Sequence, residues 1–125
     1  LQEAYSAKGV VWLTIASSAP GNQGYMTPEQ AQGVIQARQA HQTALLLDPD
    51  GAVGRRYGAK TTPHLFIVNP EGVLIYAGAI DSVPSADPAD IAGADNYVRK
   101  ALDEALAGQP ASVPETPSYG CSVKY

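Results

Sequence analysis

Three groups of residues in this chain have types that chemistry can use: one thiol, a Thr-Pro step followed by a histidine, and a loop crowded with carboxylates. Cys121 is the only cysteine, in the terminal stretch Tyr119-Gly120-Cys121-Ser122-Val123-Lys124-Tyr125. A thiol flanked by glycine near a chain end is an accessible nucleophile. It could act as a resolving or redox-responsive thiol, or join two chains through an intermolecular disulfide; the plain alternative is a small, inert residue. A single cysteine excludes an internal disulfide and a CxxC motif, and it argues against a cysteine-based metal site. Thr62-Pro63 opens an apolar strand, which is an ordinary place for proline at a sheet edge. From base rates alone only about one X-Pro bond in twenty is cis in folded proteins. His64 follows, either facing that step or serving as a structural strand histidine. His41 sits in a polar stretch and reads as solvated, and two histidines so far apart make no zinc site. Asp81, Asp87, Asp90 and Asp95 raise calcium, but their spacing lacks an EF-hand pattern and fits a solvated acidic loop. Arg55 and Arg56 could steer an anion or form a surface face. No Ser-His-Asp arrangement, phosphate loop or persuasive carboxylate pair occurs, and neither a metal nor a cofactor is expected.

The elements around these residues follow from local pattern. Leu1, Ala4 and Tyr5 fall at i, i+3 and i+4, Lys8 suits the negative end of a helix dipole, and Gly9 suits the position after a helix. Residues 1–9 therefore read as the end of a helix with a stop signal and no start signal. Val10-Val11-Trp12-Leu13-Thr14-Ile15 is a nearly continuous apolar run, the pattern of a parallel strand covered on both faces. Thr27-Pro28-Glu29-Gln30 is a capping box with proline at the first helical position, and Ala31, Val34 and Ile35 supply the buried face of that helix. Ala44-Leu45-Leu46-Leu47 reads as a second buried strand. Asp48-Pro49-Asp50-Gly51 and Asn69-Pro70-Glu71-Gly72 both carry proline at i+1 and glycine at i+3 of a type I turn. Between them, residues 53–57 form a short helical turn closed by Gly58, and Leu65-Phe66-Ile67-Val68 and Val73-Leu74-Ile75-Tyr76-Ala77 form a hairpin. Asn96 to Ala107 is an amphipathic helix ended by Gly108. Residues 109–119 form a proline-studded tail that either packs as extended chain or stays mobile.

The bulk numbers suit this picture. The 125 residues fit one buried core, and 45% hydrophobic with 16% charged residues describes a globular chain. A net charge of -4 without a basic stripe gives no reason to expect nucleic acid. No apolar run reaches the length of a membrane span, so no membrane partner is expected. The start carries no signal-peptide pattern and leaves the compartment open.

The run from Val10-Val11-Trp12-Leu13, through Leu45 to Gly51 and Tyr57-Gly58, to Thr62-Pro63 and Gly120-Cys121-Ser122-Val123-Lys124, resembles the redoxin (peroxiredoxin-like, AhpC/TSA) branch of the thioredoxin-like superfamily. The resemblance covers nearly all of the chain. It implies an α/β fold: a thioredoxin-like mixed sheet flanked by helices, truncated at the N-terminus. The core would be residues 1–108, with an extended tail at 109–125 that carries Cys121. In such proteins the nucleophilic cysteine opens the first core helix after a central strand, and neither is found here. The resemblance therefore implies thiol–disulfide or peroxide chemistry in the family and an inactive chain in isolation. Thr62-Pro63 would be the family's cis-proline step, presenting backbone to a substrate cysteine or peptide, with Thr62, Pro63 and His64 as the substrate or partner surface and Cys121 the catalytic candidate. The alternatives are a non-catalytic binding or assembly module, or a one-cysteine redox protein acting through Cys121. A sheet without its central strand leaves edges that re-pair or stay open, which predicts a homodimer, with a thiol or disulfide protein as the family's partner. Relatives of this kind are often exported.

Overall fold

The protein, described here by a computed structural model over residues 2–38, 41–85 and 87–125, is a mixed α/β fold of short helices and small sheets. It divides into two compact units, Leu1–Ala59 with Val123–Tyr125, and Lys60–Ser122.

The first unit runs α1 (Gln2–Ser6), β1 (Leu13–Ala16), α2 (Pro28–Arg38), β2 (Ala44–Leu47) and α3 (Ala52–Tyr57). α1 stops where the sequence predicts: the Lys8 and Val10 amides both donate to the Tyr5 carbonyl at 3.0 Å, and Gly9 turns at φ +87°. Tyr5 is its buried side chain and Lys8 lies 5.0 Å above that ring, whereas Ala4 is exposed; Leu1 lies outside the described residues. The capping box of α2 forms in both directions, the Thr27 amide donating to Gln30 Oε1 at 2.9 Å and the Gln30 amide to Thr27 Oγ1 at 3.3 Å.

β1 and β2 pair in parallel, with Leu13 opposite Ala44 and Ile15 opposite Leu46. Their burial differs from the expectation. Val11, Leu13 and Ile15 are exposed while Trp12 and Thr14 are partly covered, so β1 is covered on one face only. Leu46 and Leu47 are exposed as well. A continuous apolar run states only that each face tolerates apolar side chains; it does not supply the layer that covers them. The buried face of α2 is likewise narrower than Ala31, Val34 and Ile35: Ala31 is buried, Ile35 half-buried and Val34 exposed.

The second unit holds β3 (Thr61–Thr62), β4 (Leu65–Val68), β5 (Leu74–Gly78), a 3-10 turn (Pro88–Asp90), α4 (Tyr97–Leu106) and β6 (Cys121–Ser122). β4 and β5 are the expected antiparallel hairpin, closed by Asn69, whose side-chain oxygen accepts from the Glu71 and Val73 amides at 3.1 and 2.9 Å. α4 is capped by Asn96, which accepts from the Arg99 amide at 2.8 Å, and it packs on β4 and β5. Val98, Ala101 and Leu102 are buried, as are Tyr76 and Ala79, and Leu106, at the end of the apolar face, is exposed.

Parallel and antiparallel pairs both occur, distributed over three two-stranded sheets. Among the described residues, β1 pairs only with β2 and β4 only with β5, so each keeps an edge without a strand partner. The proline-rich tail is extended and docked. Its Pro114 carbonyl accepts from the Ala77 amide at 3.0 Å, and its Thr116 amide donates to the Ala77 carbonyl at 3.1 Å, placing Glu115 beside Ala77 in a parallel bridge.

Candidate functional site

The Thr62–Pro63 peptide is cis. Thr61 Oγ1 donates to the Pro63 carbonyl at 2.8 Å, and the Lys60 amide donates to His64 Nδ1 at 3.2 Å, so the step is held from both sides by its own neighbours. Because Nδ1 accepts, the proton of the neutral imidazole lies on Nε2. The ring stacks on Phe66 with centroids 4.5 Å apart. Burial, with the Lys60 charge adding to it, holds His64 below the usual histidine range. A neutral ring stacked on an aromatic and bonded to backbone is fixed in orientation.

The second half of the site arrives from the far end of the chain. β6 runs antiparallel to β3, with Cys121 opposite Thr62 and Ser122 opposite Thr61. The sole thiol therefore stands across a two-residue strand pair from the residue that precedes Pro63, and it is exposed. Gly120 makes this approach feasible: at φ +126° a Cβ would lie 2.3 Å from the Thr62 carbonyl oxygen. Tyr119, just before it, donates its hydroxyl to Asp81, whose same carboxylate oxygen also accepts from the Val83 amide at 3.2 Å. Burial first, then the hydrogen bond and charge of Asp81, push the Tyr119 phenol up to about 12. Chemically, the arrangement offers an accessible nucleophile beside a fixed backbone edge.

Thr62, Pro63, His64 and Cys121 thus fall within one unit, and the structure brings Thr62 and Cys121 directly opposite each other. The carboxylate-rich loop does other work. Asp81 anchors Tyr119, Asp87 accepts from the Ala89 amide at the start of the 3-10 turn, and the Asp95 amide and carbonyl pair with Ser82. No cluster of metal-ligating side chains occurs among the described residues, and no helix among them is long and apolar enough to cross a membrane. Arg55 donates to the Asp50 carbonyl at 2.7 Å and lies over the Tyr125 ring. His41 is exposed, with Glu3 3.7 Å away.

Sequence reasoning missed Asp48 and Tyr119. The sequence places Asp48 at the first position of a turn, and the Gly51 amide does close that turn at 3.0 Å. Its carboxylate is also buried, accepting from Ser17 Oγ at 2.6 Å, the Gly54 amide at 2.9 Å and the Val53 amide at 3.2 Å. Burial raises its pKa, but the hydrogen bonds from Ser17, Gly54 and Val53 and the Asp50 side chain outweigh that and leave it below the usual range. The available signal was an aspartate four residues before the first residue of a short helix, where a carboxylate can cap free amides. Beside it, a cleft of about 210 Å³ lined by Ala16, Tyr25, Met26 and Leu47 opens at the C-terminal ends of β1 and β2.

Two solved structures share this fold. A hypothetical protein from Sinorhizobium meliloti superposes with a TM-score of 0.85 at 27% identity, covering 98% of this chain and 66% of that one. An uncharacterised conserved protein from Geobacillus kaustophilus gives 0.85 at 28%, covering 98% and 64%. The chain therefore spans just under two thirds of the length of each. No protein-family model and no curated protein matches this chain.

Proposed function

We propose that this chain is a thioredoxin-like domain of the redoxin type in which the Thr62–Pro63 edge and Cys121 serve one thiol–disulfide exchange site. The observation that carries the reading is the strand register that sets Cys121 opposite Thr62, beside Pro63. In the exchange step the Cys121 thiolate attacks one sulfur of a substrate disulfide. A new bond forms between Sγ and that sulfur, the original S–S bond breaks, and the other sulfur leaves as a thiolate that takes up a proton. With one cysteine among these 125 residues, no second thiol of theirs can resolve the mixed disulfide. Resolution needs a thiol from outside them, such as that of a thiol protein or a second copy of this chain. The proposed behaviour is stoichiometric exchange without catalytic turnover of peroxide.

The test sets the reduced chain and Cys121→Ser against a small aliphatic disulfide, and separately against an alkyl hydroperoxide. One equivalent of mixed disulfide at Cys121, without catalytic loss of hydroperoxide, is the expected result. A thiol that stays reduced in excess disulfide would leave only a binding module. Hydroperoxide turnover that vanishes with Cys121→Ser would instead make the chain a one-cysteine peroxidase.

A further inference from the structure

A strand pair of two residues does not fix its own register. β3 and β6 meet only at Thr61–Ser122 and Thr62–Cys121, and both residues of β6 are exposed. Pairs this short are marginal in water, and a slip of one residue would set Gly120 or Ser122 opposite Thr62 and turn the Cys121 side chain to the other face. The register is therefore set by chain outside the pair. Before β6, Tyr119 is held by Asp81. After it, residues 123–125 belong to the first unit, where the Tyr125 ring enters a close-fitting socket. Two glycines make room for the ring: a Cβ on Gly51 would lie 2.5 Å from it, and one on Gly54 2.9 Å. Gly54 is unfavourable inside a helix relative to alanine, and the ring and the Ser17 hydroxyl leave no space there for anything larger. The Arg55 guanidinium lies over the ring, 4.6 Å from its centroid, and is itself held by the Asp50 carbonyl. Asp48 keeps the socket in shape by accepting from the Val53 and Gly54 amides. Behind the ring, the Lys124 carbonyl accepts from the Ala19 amide at 2.8 Å.

We infer that Tyr125 is a positioning residue for Cys121: its ring, seated among Gly51, Gly54 and Arg55, sets the register that brings the thiol opposite Thr62. The tip of the ring shows how. The Tyr125 hydroxyl donates to the Ala59 carbonyl at 2.8 Å, and the Ala59 amide donates to the Gly54 carbonyl at 2.9 Å. Ala59 is where the chain leaves the first unit, three residues before Thr62, and Tyr125 stands four residues after Cys121. The segment leading into β3 and the segment leaving β6 are thus tied to each other at one point, and the lengths of chain beyond the tie fix which residues face each other. Tyr119 holds the tail from the other side but makes no such tie to the segment that leads into β3. The role given to Tyr125 deepens the exchange reading and rests on it for the chemistry of Cys121.

The experiment compares the full chain with Tyr125→Ala, Tyr125→Phe and Arg55→Gln, by amide hydrogen exchange and by the carbon chemical shifts of Cys121. Tyr125→Ala empties the socket. Exchange at residues 61–62 and 121–122 should rise about tenfold or more while β5 and α4 stay protected, and the Cys121 shifts should move from extended toward coil values. Tyr125→Phe keeps the ring seated, so it should restore most of the protection and the extended shifts, a rescue that a general loss of stability would not give. Arg55→Gln changes an exposed residue and removes the cover over the ring; exchange should rise about threefold in the same two segments alone. Unchanged exchange at both segments in Tyr125→Ala overturns the inference. Should that variant not fold, Arg55→Gln decides, and exchange in it that is unchanged, or that rises equally in β5 and α4, overturns the inference. None of these measurements needs a reaction at the thiol. A Cys121 inert to disulfides therefore overturns the exchange reading alone, and a register indifferent to position 125 overturns this inference alone.

Discussion

At the scale of single residues, Asp48 and His64 both predict a loss of stability in acid, each over its own pH range. Asp48 is held below the ordinary carboxylate value of about 3.9, so its contribution to stability is complete above that value and is lost as pH falls through the lower, folded one. Asp48→Asn should therefore flatten the acid limb of a urea-denaturation series between roughly pH 5 and 2. Asp48→Ala leaves the Ser17 hydroxyl and two helix amides without their acceptor and should cost about 2–4 kcal/mol at neutral pH. A parent and an Asp48→Asn variant with parallel acid limbs would show that the carboxylate bears no differential proton affinity. His64 carries the same sign at higher pH, because its folded pKa is lowered too. Above about 6.5 both states are neutral and it contributes nothing. As pH falls below that value the unfolded state takes the proton first, and stability declines until the folded ring also protonates. An NMR titration of the His64 ring should show a midpoint below the ordinary value, and Lys60→Gln should raise it; a midpoint at or above about 6.5 refutes the assignment.

At the scale of elements, the tail's seat on β5 depends on one glycine and one threonine. Thr116 Oγ1 accepts from the Ala79 amide at 3.0 Å and lies 2.7 Å from the Tyr76 hydroxyl, which itself donates to the Ala79 carbonyl. Since the tyrosine spends its proton on Ala79, the threonine hydroxyl donates to the tyrosine. Gly78, at φ +150°, admits this contact because a Cβ there would lie 2.2 Å from Thr116 Oγ1 and 2.4 Å from its carbonyl. Thr116→Val should cost about 1–3 kcal/mol through the lost hydroxyl, and Gly78→Ala more than that, since it meets backbone as well as side chain. Chemical denaturation gives both numbers, and an Ala at position 78 tolerated within about 0.5 kcal/mol would contradict the packing. The local elements were legible in the sequence because local residues determine them. Thr27 and Gln30 form their capping box, Asn96 caps α4, and both Pro-containing turns close. What the sequence did not reveal depends on residues far apart in the chain. Nothing in Tyr119 identifies Asp81, nothing in Thr116 identifies Tyr76, and nothing in Cys121 says that Thr62 is opposite. The cis step could be anticipated from its setting; its strand partner could not. Burial of β1 departs from the expectation for the same reason, because an apolar run reports on the side chains present and not on a covering layer.

At the scale of the whole molecule, we propose that the β1 edge, which has no strand partner but β2 among the described residues, and the exposed apolar side chains of β1 and β2 join copies of the chain. Among the described residues β1 has no strand partner but β2, and strand edges without a partner pair with other chains unless charge or proline blocks them. Neither blocks this one: its outward residues are Leu13, at 51% exposure, and Ile15, with Leu46 opposite Ile15 on β2. Single exposed apolar residues are ordinary, but a row shared by two adjacent strands is a contiguous patch. We therefore predict a homodimer through β1, separate from any disulfide. Sedimentation equilibrium in excess reductant should give a mass that rises with concentration for the parent and equally for Cys121→Ser. Leu13→Lys, which places a charge in the row, should return the mass toward that of a single chain. Under oxidation without reductant, the parent alone should gain a second, covalent dimer that reductant reverses. The two routes are thus separable, since one is lost with Leu13→Lys and the other with Cys121→Ser. A parent that sediments as a single chain at every concentration in reductant would mean that the open edge is tolerated in water, leaving Cys121 as the only route by which two copies join.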